Sequence, residues 1–349
     1  MAGQKQVSVK DIANELHISL STVHKALTGK PGVGATRRRE VLETAERLGY
    51  TVNSAAQSLA RKAMRLSIVM PQCWQEYFDP IRRGIEKGID ALRESRVEGR
   101  FFYLAPEDLE NDLKEYLDFV KEYAPDAVLY CPSHHSINQC AAAALSTLQV
   151  PIFWVGGGDN NPLGAPSIAI DAERSGYMAA DFLACTASTP LRAALFTGSM
   201  QNRVHRAKAE AFCDRIAEYS DVPVEILETE DDAERAYAAA RTLFERAPAT
   251  NAVYVSTLAS EPICRYMEEQ GLAGRVKLLG TDVFDALKDY MRRGVMQATV
   301  FQNQEQVGEA AVGFAYEYLH RKSSYGYADW KAKSGLFIEP QLFLRANIE

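Results

Sequence analysis

No apolar stretch of this 349-residue chain is long enough to cross a bilayer, and no charged-then-apolar leader of the secretory kind opens it. A membrane span and a periplasmic transport role are therefore not expected, and the cytoplasm is the expected compartment. The six cysteines, Cys73, Cys131, Cys140, Cys185, Cys213 and Cys264, lack the paired spacing of a disulfide framework or a zinc site. Several lie in apolar runs, so they read as reduced core residues. Gly-x-Gly-x-x-Gly, a phosphate-loop Gly-Lys-Ser/Thr and a Gly-x-Ser-x-Gly elbow are all missing, and Gly156-Gly157-Gly158 has the wrong spacing for a dinucleotide loop. Adjacent His134 and His135 point apart and have no third ligand at recognisable spacing. No catalytic residue, metal or cofactor is expected, and no internal repeat suggests a solenoid.

What is present is an uneven charge. Residues 1 to 65 hold eleven Lys and Arg against five Asp and Glu, which leaves twenty-eight against forty-one in the remainder of a chain whose net charge is −7. A basic head on an acidic body gathers the attraction for phosphates in one place. Within that head, Ser8 can cap a helix with Asp11 in a capping-box place, and Val9, Ile12, Ala13 and Leu16 make one apolar stripe. His17 and Ile18 turn the chain, and Ser19 can cap a second helix. There Val23, Ala26 and Leu27 point inward, while Leu20, Ser21, Thr22, His24 and Lys25 stay outside or at the N-terminal end. Val41, Leu42, Ala45 and Leu48 are expected to put a third helix over the same core, with Gly49 stopping it. This is a helix-turn-helix pattern, although stripes of this kind also occur in any small helical bundle. Arg37, Arg38 and Arg39 read either as phosphate contacts or as a solvated face.

From Asn53 to Arg61 the chain is too short for a stable isolated helix. Asn53 can cap it, Ala55, Ala56 and Ala60 favour it, and Leu59 leaves an apolar tip beside Arg61 and Lys62. On its residues alone this segment reads as a linker, or as a helix that forms on DNA and wedges Leu59 into the minor groove.

Beyond residue 65 the pattern alternates. Apolar runs at 66–70, 101–104, 127–131, 152–155, 193–196, 224–227, 252–255, 276–279 and 298–301 are separated mostly by helix-length amphipathic stretches. That predicts parallel sheets with helices on both faces, which bind ligands at the carboxyl ends of their strands. The polar irregularities fall there: Pro71-Gln72, Pro132-Ser133-His134, Gly156 to Asp159, Thr197-Gly198, Ser256-Thr257 and Gly280-Thr281-Asp282.

The run Val9-Lys10-Asp11-Ile12-Ala13, Ile18-Ser19-x-x-Thr22-Val23, Ala26-Leu27, Gly32-Val33, Leu48-Gly49-Tyr50 and Asn53-x-x-Ala56-x-x-Leu59-Ala60 closely resembles the head and hinge of the LacI/GalR family of bacterial regulators. The rest of the chain resembles the family's two-lobed sugar-binding domain, shared with periplasmic binding proteins. The resemblance implies a small all-α headpiece with a hinge helix, followed by a two-lobed α/β domain with parallel sheets. It implies base reading by Leu20, Ser21 and Lys25, phosphate contacts from Ser8, Ser19, Thr22, His24 and Asn53, and a wedge at Leu59, with Gln57 and Ala60 on the same hinge. In the body it implies ligand contacts at Asp282 and Gln302, and at Lys208 in place of the arginine of an Arg-x-x-Gly-Phe motif. Ser133 and Thr257 are further effector candidates, Thr257 standing where asparagine is common. Trp74, Tyr77 or Phe78 could stack on a sugar ring, or belong to the core. Lys25, His24 and Val52 also depart from the usual arginine, serine and proline; lysine offers a point charge where arginine offers a fork, so the base read there can differ.

The expected domains are a helix-turn-helix head at 1–51, a hinge at 52–64 and an effector-binding body at 65–349. Within the body the N-lobe is expected at about 65–168 and 299–325, and the C-lobe at about 169–298 and 326–349. The expected function is sequence-specific regulation of transcription, by repression in the family's usual manner. A homodimer would sit on a palindromic operator with its affinity set by a sugar or polyol between the lobes. At sequence level two alternatives stay open: a regulator gated by a protein or a non-sugar ligand, and a cytosolic sugar-processing enzyme.

Overall fold

The computed structural model describes residues 7–27, 32–48, 63–133, 135–157, 161–321 and 335–348. The expected hinge residues Asn53, Gln57, Leu59 and Ala60, with His134, lie outside them.

Three helices make the headpiece: α1 (Val9–Glu15), α2 (Leu20–Leu27) and α3 (Ala35–Arg47). The backbone N–H and hydroxyl of Ser8 both donate to the Asp11 carboxylate, at 2.7 and 2.6 Å, which fixes the start of α1. At α2 the Ser19 hydroxyl accepts from the Thr22 N–H at 3.1 Å. Ile12, Ala13, Val23, Ala26, Val41 and Ala45 form the core, with Val9, Leu16, Ile18, Leu27 and Leu48 packed around it. Leu42 departs from expectation and is 48% exposed. Val41, Ala45 and Leu48 follow helical spacing and take the inner face, and one position further on turns a side chain about 100° away from it. Arg37 and Arg39 pair with Glu40 and Glu43 along α3.

The body begins with β1 (Met64–Pro71), whose first residue was expected in the hinge. Its first sheet has the order β11-β5-β4-β3-β1-β2, with β2 (Val97–Leu104), β3 (Ala127–Tyr130), β4 (Ile152–Val155), β5 (Ser167–Ile170) and β11 (Gly335–Ile338), all paired in parallel. The second sheet has the order β12-β10-β9-β8-β6-β7, with β6 (Ala193–Thr197), β7 (Glu225–Glu228), β8 (Ala252–Val255), β9 (Lys277–Thr281), β10 (Ala298–Phe301) and β12 (Gln341–Leu344). There β12 is antiparallel to β10 and the other pairs are parallel.

Between these strands run α4 (Gln75–Ala91), α5 (Leu109–Tyr123), α6 (His135–Leu145), α7 (Ala172–Thr186), α8 (Arg203–Ile216), α9 (Ala233–Arg246), α10 (Ser260–Glu269), α11 (Asp285–Arg293) and α12 (Gln304–Arg321). Each sheet is covered on both faces: two apolar clusters flank the first, and two flank the second. Every expected apolar run overlaps a strand; the central ones, such as β3 and β8, are buried on both faces and need unbroken apolar sequence, while the edge strands β2 and β7 are only partly buried. β5 and β11 were not anticipated.

The chain passes between lobes three times: after β5, after β10 and after β11. All three of these crossings shift the expected division: β5 keeps Ala169 and Ile170 in the N-lobe sheet. Val300 and Phe301 remain in the C-lobe sheet, so the second crossing follows residue 301 instead of 298. Residues 335–338 belong to the N-lobe sheet instead of the C-lobe, because β11 pairs with β5. Helix packing fixes the lobes internally. α4 and α12 touch through Gly84 and Gly308; a Cβ at Gly84 would collide with the Glu305 carbonyl, and one at Gly308 with the Ile81 carbonyl. Gly176 likewise lets α7 meet the backbone carbonyl of Lys208 on α8.

Among the described residues no helix is long and apolar enough to cross a membrane. The cysteines divide: Cys131 and Cys264 are buried, Cys73 and Cys213 half-buried, and Cys140 and Cys185 exposed, contrary to a uniform core reading. The last two sit on helix α6 and near the end of α7, where an apolar run in sequence still has an outer face.

Candidate functional site

On the headpiece, Ser8, Ser19, Leu20, Ser21, His24 and Lys25 are exposed and Thr22 is half-buried. All belong to α2 or cap a neighbouring helix start. Leu20, at 52% exposure, is an apolar side chain that the three-helix core does not use. This outer face of α2 carries Lys25 and no acidic residue, as a surface meeting phosphates and base edges requires.

In the body, the carboxyl ends of both sheets open onto one cleft enclosing about 670 Å³, counted to its open mouth. The N-lobe contributes Trp74, Tyr77 and Phe78 from the start of α4, Pro132 and Ser133 after β3, and Gly156 and Gly157 after β4. Trp74 adopts a left-handed backbone at the helix start, φ 46°, and its ring stacks on Phe78 with centroids 6.4 Å apart and planes 14° apart. Phe78 lies deep in the N-lobe core. The Tyr77 hydroxyl donates to the Gly156 carbonyl, and burial holds this phenol far above its ordinary range. Of the three aromatics, Trp74 is the most exposed, at 37%. Asn138 fixes the Ser133 loop: its side chain accepts from the Ser133 N–H at 2.9 Å and donates to the Ser133 carbonyl at 3.0 Å. The Ser133 hydroxyl is buried in the cleft wall without a partner.

The C-lobe wall is polar. Lys208 is buried on α8, and its ammonium donates to the Gln302 side-chain oxygen at 2.9 Å and to the Ser256 carbonyl at 3.2 Å. The Gln302 side-chain nitrogen in turn donates to Asp282 at 2.6 Å, and its backbone N–H donates to the other carboxylate oxygen at 3.0 Å. Burial lowers the Lys208 pKa to about 8, against the pull of Asp282 and Asp231. Burial also raises that of Asp282, opposed first by Lys208. Asp282 is thus brought together with Lys208 and Gln302, but it is not among the cleft-lining residues and acts behind Gln302. Its left-handed backbone, φ 64°, at the end of β9 turns the carboxylate toward the crossing segment. Thr257 is buried and lines the cleft beside Ser256.

Three further polar lining residues, Asn202, His205 and Asp231, were not anticipated, nor were the apolar Val204 and Leu258. Asn202 caps α8 through the N–H groups of Val204 and His205; an Asn before a helix reads as a cap and nothing more. His205 Nδ1 accepts from the Ser199 N–H at 3.1 Å. Among the described residues no group of three His, Cys, Asp or Glu could hold a metal ion.

Comparison with known proteins gives the same architecture. Residues 67–323 match the family model described as periplasmic binding protein domain. The chain is similar to catabolite control protein A of Priestia megaterium, 24% identical over 256 residues covering 72% of this chain and 74% of that one. It is also similar to the ribose operon repressor of Bacillus subtilis, 24% identical over 254 residues covering 71% and 72% respectively. Among solved structures, the lac repressor dimer bound to operator and an anti-inducer superposes with a TM-score of 0.60 at 16% identity, covering 97% of this chain and 98% of that one.

Proposed function

The chain belongs to the periplasmic-binding-protein domain family and, within it, to the LacI/GalR transcriptional regulators, and from that premise we propose that it is a cytoplasmic repressor whose grip on DNA is set by a sugar or polyol between its lobes. Two headpieces of a homodimer sit on the half-sites of a palindromic operator. Leu20, Ser21 and Lys25 reach base edges from α2, while Ser8, Ser19, Thr22, His24 and Asn53 hold phosphates. Leu59 wedges the centre of the site, with Gln57 and Ala60 beside it on the hinge.

The observation that carries the effector reading is the pairing of cleft walls: a stacked Trp74 on one lobe faces the Lys208, Gln302 and Asp282 chain on the other. A sugar has an apolar ring face and a belt of hydroxyls, and these two walls supply partners for each. Bound across the cleft, it would favour the closed arrangement of the lobes and bias the spacing of the hinges, a coupling typically worth about 1–3 kcal/mol.

Heating the purified chain with pentoses, hexoses and polyols is the direct test; one of them should raise the melting temperature in proportion to the logarithm of its concentration. Asp282→Asn should abolish that shift and leave operator binding in place. An unchanged shift in the variant would remove Asp282 from the effector site, and no shift from any compound would remove the sugar.

A further inference from the structure

Three acidic residues in a row leave β7: Glu230, Asp231 and Asp232. In sequence they read as a solvated turn before α9, and two of them are used locally. Glu230 pairs with Arg235, and the Asp232 side chain caps α9 by accepting from the Arg235 N–H at 2.8 Å. Asp231 does neither. Two successive left-handed backbones, φ 54° at Glu230 and 56° at Asp231, turn it the other way, into the cleft wall. Non-glycine residues seldom hold this conformation, and it persists where the surroundings enforce it. Here the enforcement is visible: the Thr229 and Glu230 N–H groups donate to the Thr197 and Gly198 carbonyls, each at 2.8 Å. Gly198 also leaves the space that the carboxylate fills, since a Cβ there would stand 2.6 Å from Asp231 Oδ2 and 2.6 Å from His205 Nδ1.

The turn brings Asp231 into the cleft wall, and one of its carboxylate oxygens, Oδ1, is buried there with no hydrogen-bond partner. From the N-lobe the Ser133 hydroxyl is the corresponding buried group without one. A buried acceptor left unmade costs more than a typical hydrogen bond returns, so such a pair in opposite walls marks where a ligand supplies the missing donors. The charge balance then restricts the ligand. Among the described lining residues Lys208 is the one lysine or arginine, and its ammonium is already shared with Gln302 and Ser256. Against it stand Asp231 in the wall and Asp282 directly behind Gln302. A phosphate or carboxylate ligand would meet two carboxylates, one committed ammonium and the His205 imidazole that packs beside Asp231.

Resting on the effector reading above, we infer that Asp231 makes the cleft select an uncharged polyhydroxy ligand that donates a hydroxyl to its carboxylate, and reject the phosphorylated form of the same sugar. Ser133 meets the same ligand from the other lobe, so the two groups bridge the closed cleft.

Calorimetry on the full chain tests this with D-glucose, D-galactose, D-ribose and D-mannitol, set against glucose 6-phosphate, galactose 6-phosphate, ribose 5-phosphate and mannitol 1-phosphate. A neutral compound should bind, and its phosphate should bind at least about tenfold more weakly. Asp231→Asn keeps the volume and removes the charge; it should weaken the neutral ligand about ten- to a hundredfold and narrow the gap to the phosphate. Ser133→Ala should weaken the neutral ligand without narrowing the gap. If Asp231→Asn does not fold, Asp231→Ala makes the charge-removal test in its place, with the same expected loss and the same narrowing of the gap to the phosphate. Equal or tighter binding of phosphates to the unaltered chain overturns the inference while leaving the cleft as an effector site, as does an Asp231→Asn protein with unchanged affinity and selectivity. Failure of every compound to bind the unaltered chain overturns the sugar reading itself, and this inference with it.

Discussion

Lys208 sits where burial and function pull in opposite directions. Its ammonium is the cleft's cation, yet burial lowers its pKa to about 8 from the ordinary 10.5. Between those two values the unfolded chain holds a proton that the folded chain has released, so this residue makes stability rise with pH over that window, and below it the desolvation cost is felt in full. Ligand binding should move the other way, because above about pH 8 an ammonium donor to a hydroxyl is lost. Calorimetric affinity measured at pH 7 and at pH 9.5 should fall, and Lys208→Met should flatten both trends. If affinity is level across that range, the ligand does not touch Lys208. Thr257 and Gln302 were named in the sequence as residues just past a strand, and Lys208 only through its place in the family's Arg-x-x-Gly-Phe motif. Asp282 was legible as a polar residue but not as a supporting one, since which of two hydrogen-bonded groups faces the ligand is decided by the turn of the backbone. Asp231 was hidden because its neighbours give the whole acidic run an ordinary explanation: a helix cap and an ion pair account for such a sequence before any cleft is needed.

Among the elements, the contact of α4 with α12 is the most exacting. A Gly308→Ala methyl would meet the Ile81 carbonyl, and backbone cannot yield as a flexible side chain can. The substitution should cost about 1–3 kcal/mol in urea denaturation; a neutral result would mean that the helices separate freely. At the other end of the chain, Asp11→Ala removes the acceptor for both Ser8 donors. It should loosen the start of α1 by about 1 kcal/mol and weaken operator binding, with the melting of the body unchanged. Gel-shift titration beside calorimetry separates the two, and a lowered body transition would argue against independent behaviour. The strands were easy to find in sequence where they are central, such as β3 and β8, because both faces are buried and the apolar run is unbroken. β5 and β11 escaped notice: each is four residues long, opens on Ser167 or Gly335, and owes its strand state to its neighbours. Leu42 misled for a different reason, since apolarity in a thirteen-residue helix does not by itself say which face is inner.

For the whole molecule, the expectation is that DNA affinity and ligand response are separable. Leu59→Ala should weaken binding to the operator much more than to random duplex, and equal losses on both would remove the wedge. Operator affinity should also fall steeply with salt, as contacts to phosphates release counterions, while the affinity for a neutral ligand should be nearly insensitive to it. The lobe boundaries were the least legible part of the sequence at this scale, because a crossing between sheets leaves no compositional mark; Phe301 and Ile338 are apolar strand residues like any others. The three crossings also set an order of events during synthesis. The three-helix headpiece can close as soon as residue 48 is free of the ribosome, but each lobe must wait for a strand made near the other end of the chain, β11 for one and β12 for the other. A chain broken off before residue 335 would thus carry a finished DNA-reading head on two lobes that each lack a sheet strand.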